Sequence, residues 1–407
     1  MEGGSIKTGP FGTVLKAHEY TTSGVPLISV GEIRHGYFRI HEKTPRISEE
    51  VSSRLPDYVL RAGDIVFGRK GAVDRSARVS QEQDGWFLGS DGIRLRLSEA
   101  TDSRFMAYQL QSDLVRRWIL QHATGTTMAS LNQGVIERIP VLIPPLPEQR
   151  AIAHILGTLD DKIELNRKMN ETLEAMARAL FKSWFVDFDP VREKSQGRAP
   201  TGMDAETAKL FPSEFVESEL GEIPKGWEHR TVGELSVLSG GKQLEREFIV
   251  EDGLIPVFGG AGVMGFTMGH NADGFVISVG RVGAYCGQFF AHRGKAWINN
   301  NASLIRPNDA HFSEWMFLAL KHADIDVIKK GAAQPFVSNG DIANLKLLWP
   351  GAPTIAAFSR QFVPLLDAKD ANDAQSKTLA RTRDTLLPSL LSGELSVAAA
   401  VKELVVA

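Results

Sequence analysis

The sequence predicts an α+β protein in which two like, pseudo-symmetric domains are separated by two long antiparallel helices forming a coiled-coil spacer. Three observations carry this expectation. A helical stretch from Pro144 to Asp189 keeps its apolar residues on one narrow stripe. A second copy follows roughly 206 residues later, with Pro147 falling on Pro353 and Leu180 on Leu386. The strands, glycine turns and helix that precede the first copy recur, in the same order, before the second.

Pro144, Pro145 and Pro147 suit a first helical turn, and Glu148 places a carboxylate at the positive end of the helix dipole. Ile152, Leu156, Leu159 and Ile163, then Leu173, Ala177, Leu180 and Trp184, step by four and three. That spacing is a heptad seam. At 1.5 Å per residue the helix is roughly 58 Å long, and so narrow a stripe needs a partner helix. The partner is the second copy, with Phe358, Phe362, Leu365 and Leu379 in the seam. Asn166 and Asn170 interrupt the first seam, and Asn372 and Ser376 the second. A buried asparagine lowers stability but fixes register. The two helices are therefore expected to pair antiparallel, with these four residues meeting near the centre. The plainer alternative is two unrelated amphipathic helices. The expected boundaries are a first domain at 1–143, a helix at 144–189 and a linker at 190–219. A second domain at 220–350, a helix at 351–397 and a tail at 398–407 complete the chain.

In the first domain, Val25 to Ile33 alternates as a strand. Arg61 to Val73 reads as a strand entering a Gly68-Arg69-Lys70-Gly71 turn, and Trp86 to Leu97 as strand with an Asp91-Gly92 turn. Ser103 to His122 has helical spacing. Thr124 to Asn132 is a small-polar loop, and Ile139 to Ile143 a strand. In the second domain, Arg281 falls on Arg69, and Asn299–Arg306 on Gly89–Arg96. Gly331–Asn339 falls on Gly125–Gln133, and Phe312 to Leu320 is the matching helix. Between these anchors the side chains differ. Two like scaffolds with unlike surfaces imply two recognition domains for two different ligands.

The chain has 407 residues, 43% of them hydrophobic, which is ordinary for a soluble protein of two cores. No charged-then-apolar leader and no membrane-length apolar run is seen. Cys286 is the single cysteine, so neither an internal disulfide nor a thiolate zinc site is expected, and the chain reads as cytoplasmic with no membrane partner. A net charge of −3 is not that of a stand-alone DNA binder. Either nucleic acid is not the ligand, or local patches bind it while a partner supplies charge.

Catalytic motifs are missing. Phe258-Gly-Gly-Ala-Gly-Val263 is similar to a methyltransferase glycine loop, but no Asp/Asn-Pro-Pro-aromatic run accompanies it, and it reads as a turn. No Walker loop, HExxH or Gly-x-Ser-x-Gly elbow occurs. No catalytic and no metal residue is assigned.

The residues that suit DNA are on the loops. Arg69 and Lys70 lie between glycines that allow close approach to phosphate, with Arg75 and Arg78 following, and Arg281 repeats the arrangement. Arg and Lys also read guanine edges, while Asn and Gln read adenine. Asn299, Asn300, Asn301, Gln334, Ser338 and Asn339 are such readers in the second domain. Thr126, Thr127, Ser130 and Asn132 are their counterparts in the first. The competing reading is a glycine turn with a solvated arginine and a helix N-cap at Ser130 or Ser338.

Pro144-Pro-Leu-Pro-Glu-Gln-Arg150 and the helix after it, Phe181-Lys-Ser-Trp-Phe-Val-Asp-Phe-Asp-Pro-Val191, Leu220-Gly-Glu-Ile-Pro-Lys-Gly-Trp-Glu228 and Leu386-Leu-Pro-Ser-Leu-Leu-Ser-Gly-Glu-Leu-Ser-Val397 resemble the specificity (S) subunits of type I restriction-modification systems. With the paired repeat the resemblance spans nearly the whole chain. It implies two target-recognition domains, each reading one half of a bipartite double-stranded DNA sequence. It also implies that the helices set the half-site separation and dock two methyltransferase (M) subunits, through which restriction (R) subunits join. S-adenosylmethionine, ATP and Mg are implied on those partners, with no cofactor and no catalysis in this chain. The rivals are the DNA-recognition part of a restriction-methyltransferase enzyme, and a structural adaptor that touches no DNA. Two departures stand out. The first domain has no counterpart of Ile223-Pro-Lys-Gly-Trp227, so the sequence is read as truncated or starting late. Thr354 and Ile355 replace Glu148 and Gln149 in the second helix, which implies unequal grip on the two M subunits.

Overall fold

The computed structural model describes residues 4–125, 128–219, 221–283, 285–331 and 334–400. The chain divides into two compact units, Met1–Arg167 with Asp373–Ala407, and Lys168–Asn372. Two long helices, Leu146–Phe185 and Ala352–Ser392, each contribute one half to each unit. Among the described residues no helix is long and apolar enough to cross a membrane.

In the first unit a four-stranded sheet runs in the order Ser5–Thr8, Gly92–Arg96, Ile65–Gly68, Ser76–Arg78, all antiparallel. Side chains alternate across a strand, and both faces of Ile65–Gly68 are covered. Ile65 and Phe67 join Ile93, Leu110 and Ile119 beneath the helices, while Val66 joins Ile28, Ile33 and Leu88 on the other side. A smaller sheet holds Tyr20–Thr21, Arg46–Ile47, Val25–Ile28 and Phe87–Leu88, the last two parallel.

The expected helix over Ser103 to His122 is two helices, Ser103–Gln111 and Asp113–His122. Ser112 is extended between them, and its hydroxyl accepts from the Val115 amide as an N-cap.

The second unit repeats this topology. Ser236–Gly240, Ala302–Pro307, Phe275–Gly280 and Phe289–Arg293 form the matching antiparallel sheet in the matching order. Ile255–Gly259 runs parallel to Trp297–Ile298, as Val25–Ile28 does to Phe87–Leu88, and pairs with Gly262–Thr267 on its other edge. The glycine-rich run after Phe258 is the tight turn of that hairpin. Trp315 on the helix Ser313–His322 is fully buried against this core.

Two local expectations fail for identifiable reasons. Ile139 to Ile143 is not a strand, whereas its equivalent Lys346–Trp349 pairs with Glu228–Thr231. No strand equivalent to Glu228–Thr231 is described ahead of Ser5–Thr8. Leu142 and Ile143 are exposed, and the Leu142 carbonyl accepts from the buried Gln109 side chain at 3.1 Å instead. Pro190 to Pro212 is no loose linker. It forms the helices Asp189–Ser195 and Ala205–Lys209, and buries Val191 and Phe211 in the second core. Phe188 takes a left-handed conformation (φ 57°) where the first long helix gives way, and its ring packs edge-on against Phe215 and Trp227.

The helices pair antiparallel within each unit. In the first, Ile152, Leu156 and Leu159 are buried with Leu386, Leu387 and Leu390. Arg383 donates to Asp160 at 2.7 Å, and Asn166 donates to Gln375 at 2.9 Å and Ser376 at 3.2 Å. In the second, Phe358 packs against Phe181, Trp184 and Phe185, with Phe362 stacked on Phe358. Lys369 lies 3.8 Å from Glu174, and Asn372 donates to Asn170 at 2.9 Å. Ile163, Leu173, Leu365 and Leu379 are half-buried along the seam. The pairing is reciprocal: Asn166 meets the repeat equivalent of Asn170, and Asn170 meets the repeat equivalent of Asn166. The second long helix stops at Gly393, in the left-handed region at φ 77°, before the 397 boundary read from the sequence.

Candidate nucleic-acid interface

In each unit one end of the main sheet gathers three loops, and the backbone ties them identically. In the first unit the Arg69 amide donates to the Asp91 carbonyl (2.8 Å), the Leu131 amide to Arg69 (2.8 Å) and the Gly71 amide to Ala129 (2.8 Å). In the second the Arg281 amide donates to Asn301 (3.1 Å), Val337 to Arg281 (2.9 Å) and Gly283 to Pro335 (3.0 Å). The third loop closes on itself both times, through Thr124 with Ser130 and Lys330 with Phe336. Gly125 and Gly331 turn these loops at φ 103° and 83°. A Cβ there would lie 2.3 Å from the Met128 carbonyl and 2.6 Å from that of Gln334, so a side chain fits neither.

On this common frame the side chains diverge. Arg69 reaches the Ser90 carbonyl at 3.3 Å, and its guanidinium sits over the Phe11 ring at 5.5 Å. Lys70 is 51% exposed, with Asp91 4.0 Å away. Arg75 is at the base of the turn, where its carbonyl accepts from Gly68. Burial first, then Arg116 and more weakly Arg75, hold the nearby His35 below the usual imidazole value, against the pull of Asp74. In the second unit Arg281 turns back onto the Asn300 carbonyl at 2.6 Å. Asn300 is exposed, and its amide contacts Gln243 at 3.3 Å; Gln334 is exposed on the third loop. Lys330 is held by Asp341, whose carboxyl that ion pair, then Ser338, pull down to about 2.

Several residues singled out from the sequence serve the frame instead. Arg78 stands at the opposite end of its ladder, paired with Ile65, and donates to Ser103 at 2.9 Å; burial and Arg104 lower its pKa. It does not join the loop cluster. Asn299 is buried, and its side-chain oxygen accepts from the Asn300 amide at 2.7 Å. Asn132 N-caps Gln133–Ile136 by accepting from Val135 at 3.0 Å, so the cap is Asn132 rather than Ser130; Ser338 caps Asn339–Ala343 as the competing reading holds. Asn339 accepts from the Ser303 hydroxyl. Thr126 and Thr127 lie outside the described residues. Conversely, Phe11, Val282, Tyr285 and Phe336 are exposed at these loops, and residue type alone does not mark an apolar side chain there as a reader; the Pro10-Phe11-Gly12 turn is the available signal.

Among the described residues, no group of three His, Cys, Asp or Glu side chains is placed to hold a metal ion. A family model described as the type I restriction modification DNA specificity domain matches residues 11–175. Over those residues the chain is similar to the type I restriction-modification specificity subunits. It is similar to the HindI specificity subunit of Haemophilus influenzae, at 28% identity over 68% of this chain and 73% of that one. It is similar to the MjaIX specificity subunit of Methanocaldococcus jannaschii, at 27% identity over 94% and 89%. Its fold is that of the S subunit of a type I restriction-modification system from Mycoplasma genitalium, with a TM-score of 0.59, 19% identity and coverage of 95% and 93%. The family model ends within the first long helix.

Proposed function

We propose that this chain is a type I restriction-modification specificity subunit that reads a bipartite double-stranded DNA target, one half-site at the loop end of each unit. It acts within a complex whose M and R subunits perform the chemistry. Arg69, Lys70 and Arg75 contact DNA from the first unit, and Asn300 and Gln334 from the second, where Arg281 braces the Asn300 carbonyl instead. The observation that carries this reading is the pair of loop ends built on one hydrogen-bond frame with different side chains. A frame held constant while its exposed groups vary suits a reader of sequence. Backbone frames of this kind position the reader, and the exposed groups then discriminate.

The long helices dock two M subunits, through which the R subunits join. The exposed Met169 and Met176 on the outer side of the first long helix, one heptad apart, support a docking face there. S-adenosylmethionine belongs to the M subunits, and ATP and Mg to the R subunits. This chain itself is non-catalytic. Its net charge of −3 fits a protein that grips DNA only inside a larger basic enclosure.

The test is DNA binding measured by fluorescence anisotropy, with the chain alone and assembled with its M subunit, on target and on random duplexes. The assembled complex prefers target DNA by about a thousandfold or more at physiological salt. Equal binding to random DNA, or none, would contradict the reading.

A further inference from the structure

The two loop ends differ most where one would least expect a protein to place apolar groups. Lys70 and Ser130 face each other across a bridge in the first unit; Val282 and Phe336 do so at the equivalent bridge in the second. Val282 is 42% exposed, Phe336 43% and Tyr285, on the same loop as Val282, 50%. The hydrogen bonds from Gly283 to Pro335 and from Val337 to Arg281 flank the bridge and hold its two strands together. The nearest cations do not cover them either: Arg281 is tied to the Asn300 carbonyl and Lys330 to Asp341. The second loop end therefore carries an exposed apolar patch, on the loops that also carry the exposed Asn300 and Gln334. A phosphate has no use for such a surface. Among base edges, the apolar feature of the major groove is the C5 methyl group of thymine.

We propose that Val282 and Phe336, with Tyr285, form a contact for a thymine methyl group, so that the second half-site requires an A·T pair at the position they reach. At the equivalent position in the first unit, Lys70 and Ser130 select a hydrogen-bonding edge instead. The inference rests on the DNA reading above and adds to it the chemical class of one base. The alternative occupant, an apolar face of a partner protein, is distinguished by the same test.

The experiment uses the complex assembled with its M subunit and a duplex whose target has been read from the methylation pattern. Each thymine of either half-site is replaced singly by uracil, which removes only the methyl group. One second-half-site replacement is expected to weaken binding about fourfold, the value of one buried carbon group. That penalty disappears in Val282→Lys and Phe336→Ser variants, while first-half-site binding is unchanged. Both side chains are partly exposed, and circular dichroism confirms that the variants fold. A second half-site without any A·T pair would overturn the proposal. So would full-strength binding to every uracil duplex, or a uracil penalty that both variants retain; these leave sequence-specific DNA binding intact. Loss of complex assembly in the variants, with no uracil effect in the parent, would assign the patch to a protein partner. Absence of any target preference in the parent complex would instead remove the DNA reading itself.

Discussion

The Asn372 side chain donates to the Asn170 side-chain oxygen at 2.9 Å, between the two long helices. Burying an amide pair in such a seam costs stability unless both partners bond, and only one alignment of the helices lets them do so. Replacing Asn170 with alanine takes the acceptor from Asn372 and should destabilise the protein by about 1 kcal/mol in denaturant unfolding. The double variant Asn170→Ala/Asn372→Ala should lose less than the sum of the two single changes, which a double-mutant cycle reads directly. Strictly additive losses would mean that the pair does not set the register.

A second device ties the first recognition fold to its helix. The buried Tyr108 hydroxyl donates to Asp160 at 2.5 Å, and Arg383 donates to the other oxygen of the same carboxylate at 2.7 Å. Burial first, then the Asp160 charge, push the phenol pKa well above its ordinary value of 10.0. A folded-state pKa above the unfolded one gives stability that is complete below the unfolded value and is lost as pH rises toward the folded one. Tyr108→Phe should therefore cost about 1.5–3 kcal/mol at neutral pH, the value of a hydrogen bond to a charged group. The difference from the parent should shrink as pH rises beyond about 10. A difference independent of pH up to the alkaline limit of folding would speak against this contact.

Arg69 combines a backbone tie at 3.3 Å with stacking on an exposed phenylalanine, Phe11, which is 62% accessible. In the assembled complex, Arg69→Ala should weaken binding and reduce the slope of log affinity against log salt by about one. Phe11→Ala should weaken binding with the salt slope unchanged. An unaltered slope in Arg69→Ala would take this arginine away from the phosphates.

Gly241 is a backbone position with no room to spare. Its amide donates to Ala302 at 3.0 Å, and a Cβ would fall 2.0 Å from the Asn299 carbonyl. Gly241→Ala must push back the turn that carries Asn300, at about 1–3 kcal/mol of overpacking. The expected result is a lower melting temperature together with relaxed discrimination in the second half-site only. Gly9, whose Cβ would fall 1.8 Å from the Gly89 carbonyl, provides the matching variant for the first.

Much of this architecture is legible in the residue order because it depends on periodicity. The heptad steps through Ile152, Leu156 and Leu159 announce a helix and its need for a partner, and the repeat names that partner. The Gly68–Gly71 and Gly280–Gly283 turns follow from glycine itself. What stayed hidden depends on distant neighbours. Val141 to Ile143 has strand composition but, among the described residues, no strand beside it, and the same composition in Lys346–Trp349 is a strand because Glu228–Thr231 lies beside it. Ser112 sits inside an unbroken apolar rhythm, so its cap could not be read from spacing. The polar, proline-bearing composition of 190–212 outweighed Val191 and Phe211, two buried anchors too few to register as a pattern. At the loops, residue type alone could not separate an asparagine that closes a turn, Asn299, from one that faces outward, Asn300, nor show that Arg281 points back at its own backbone.

The central claim is that two different readers in one chain choose the DNA sequence on which the complex acts. The most direct measurement is a genome-wide map of methylated adenines in cells carrying the M subunit, with and without this gene. The account predicts a methylated motif that appears only with the gene and consists of two specified blocks separated by a fixed, unspecified gap. A single continuous motif, or a methylation pattern identical in both cells, would contradict it.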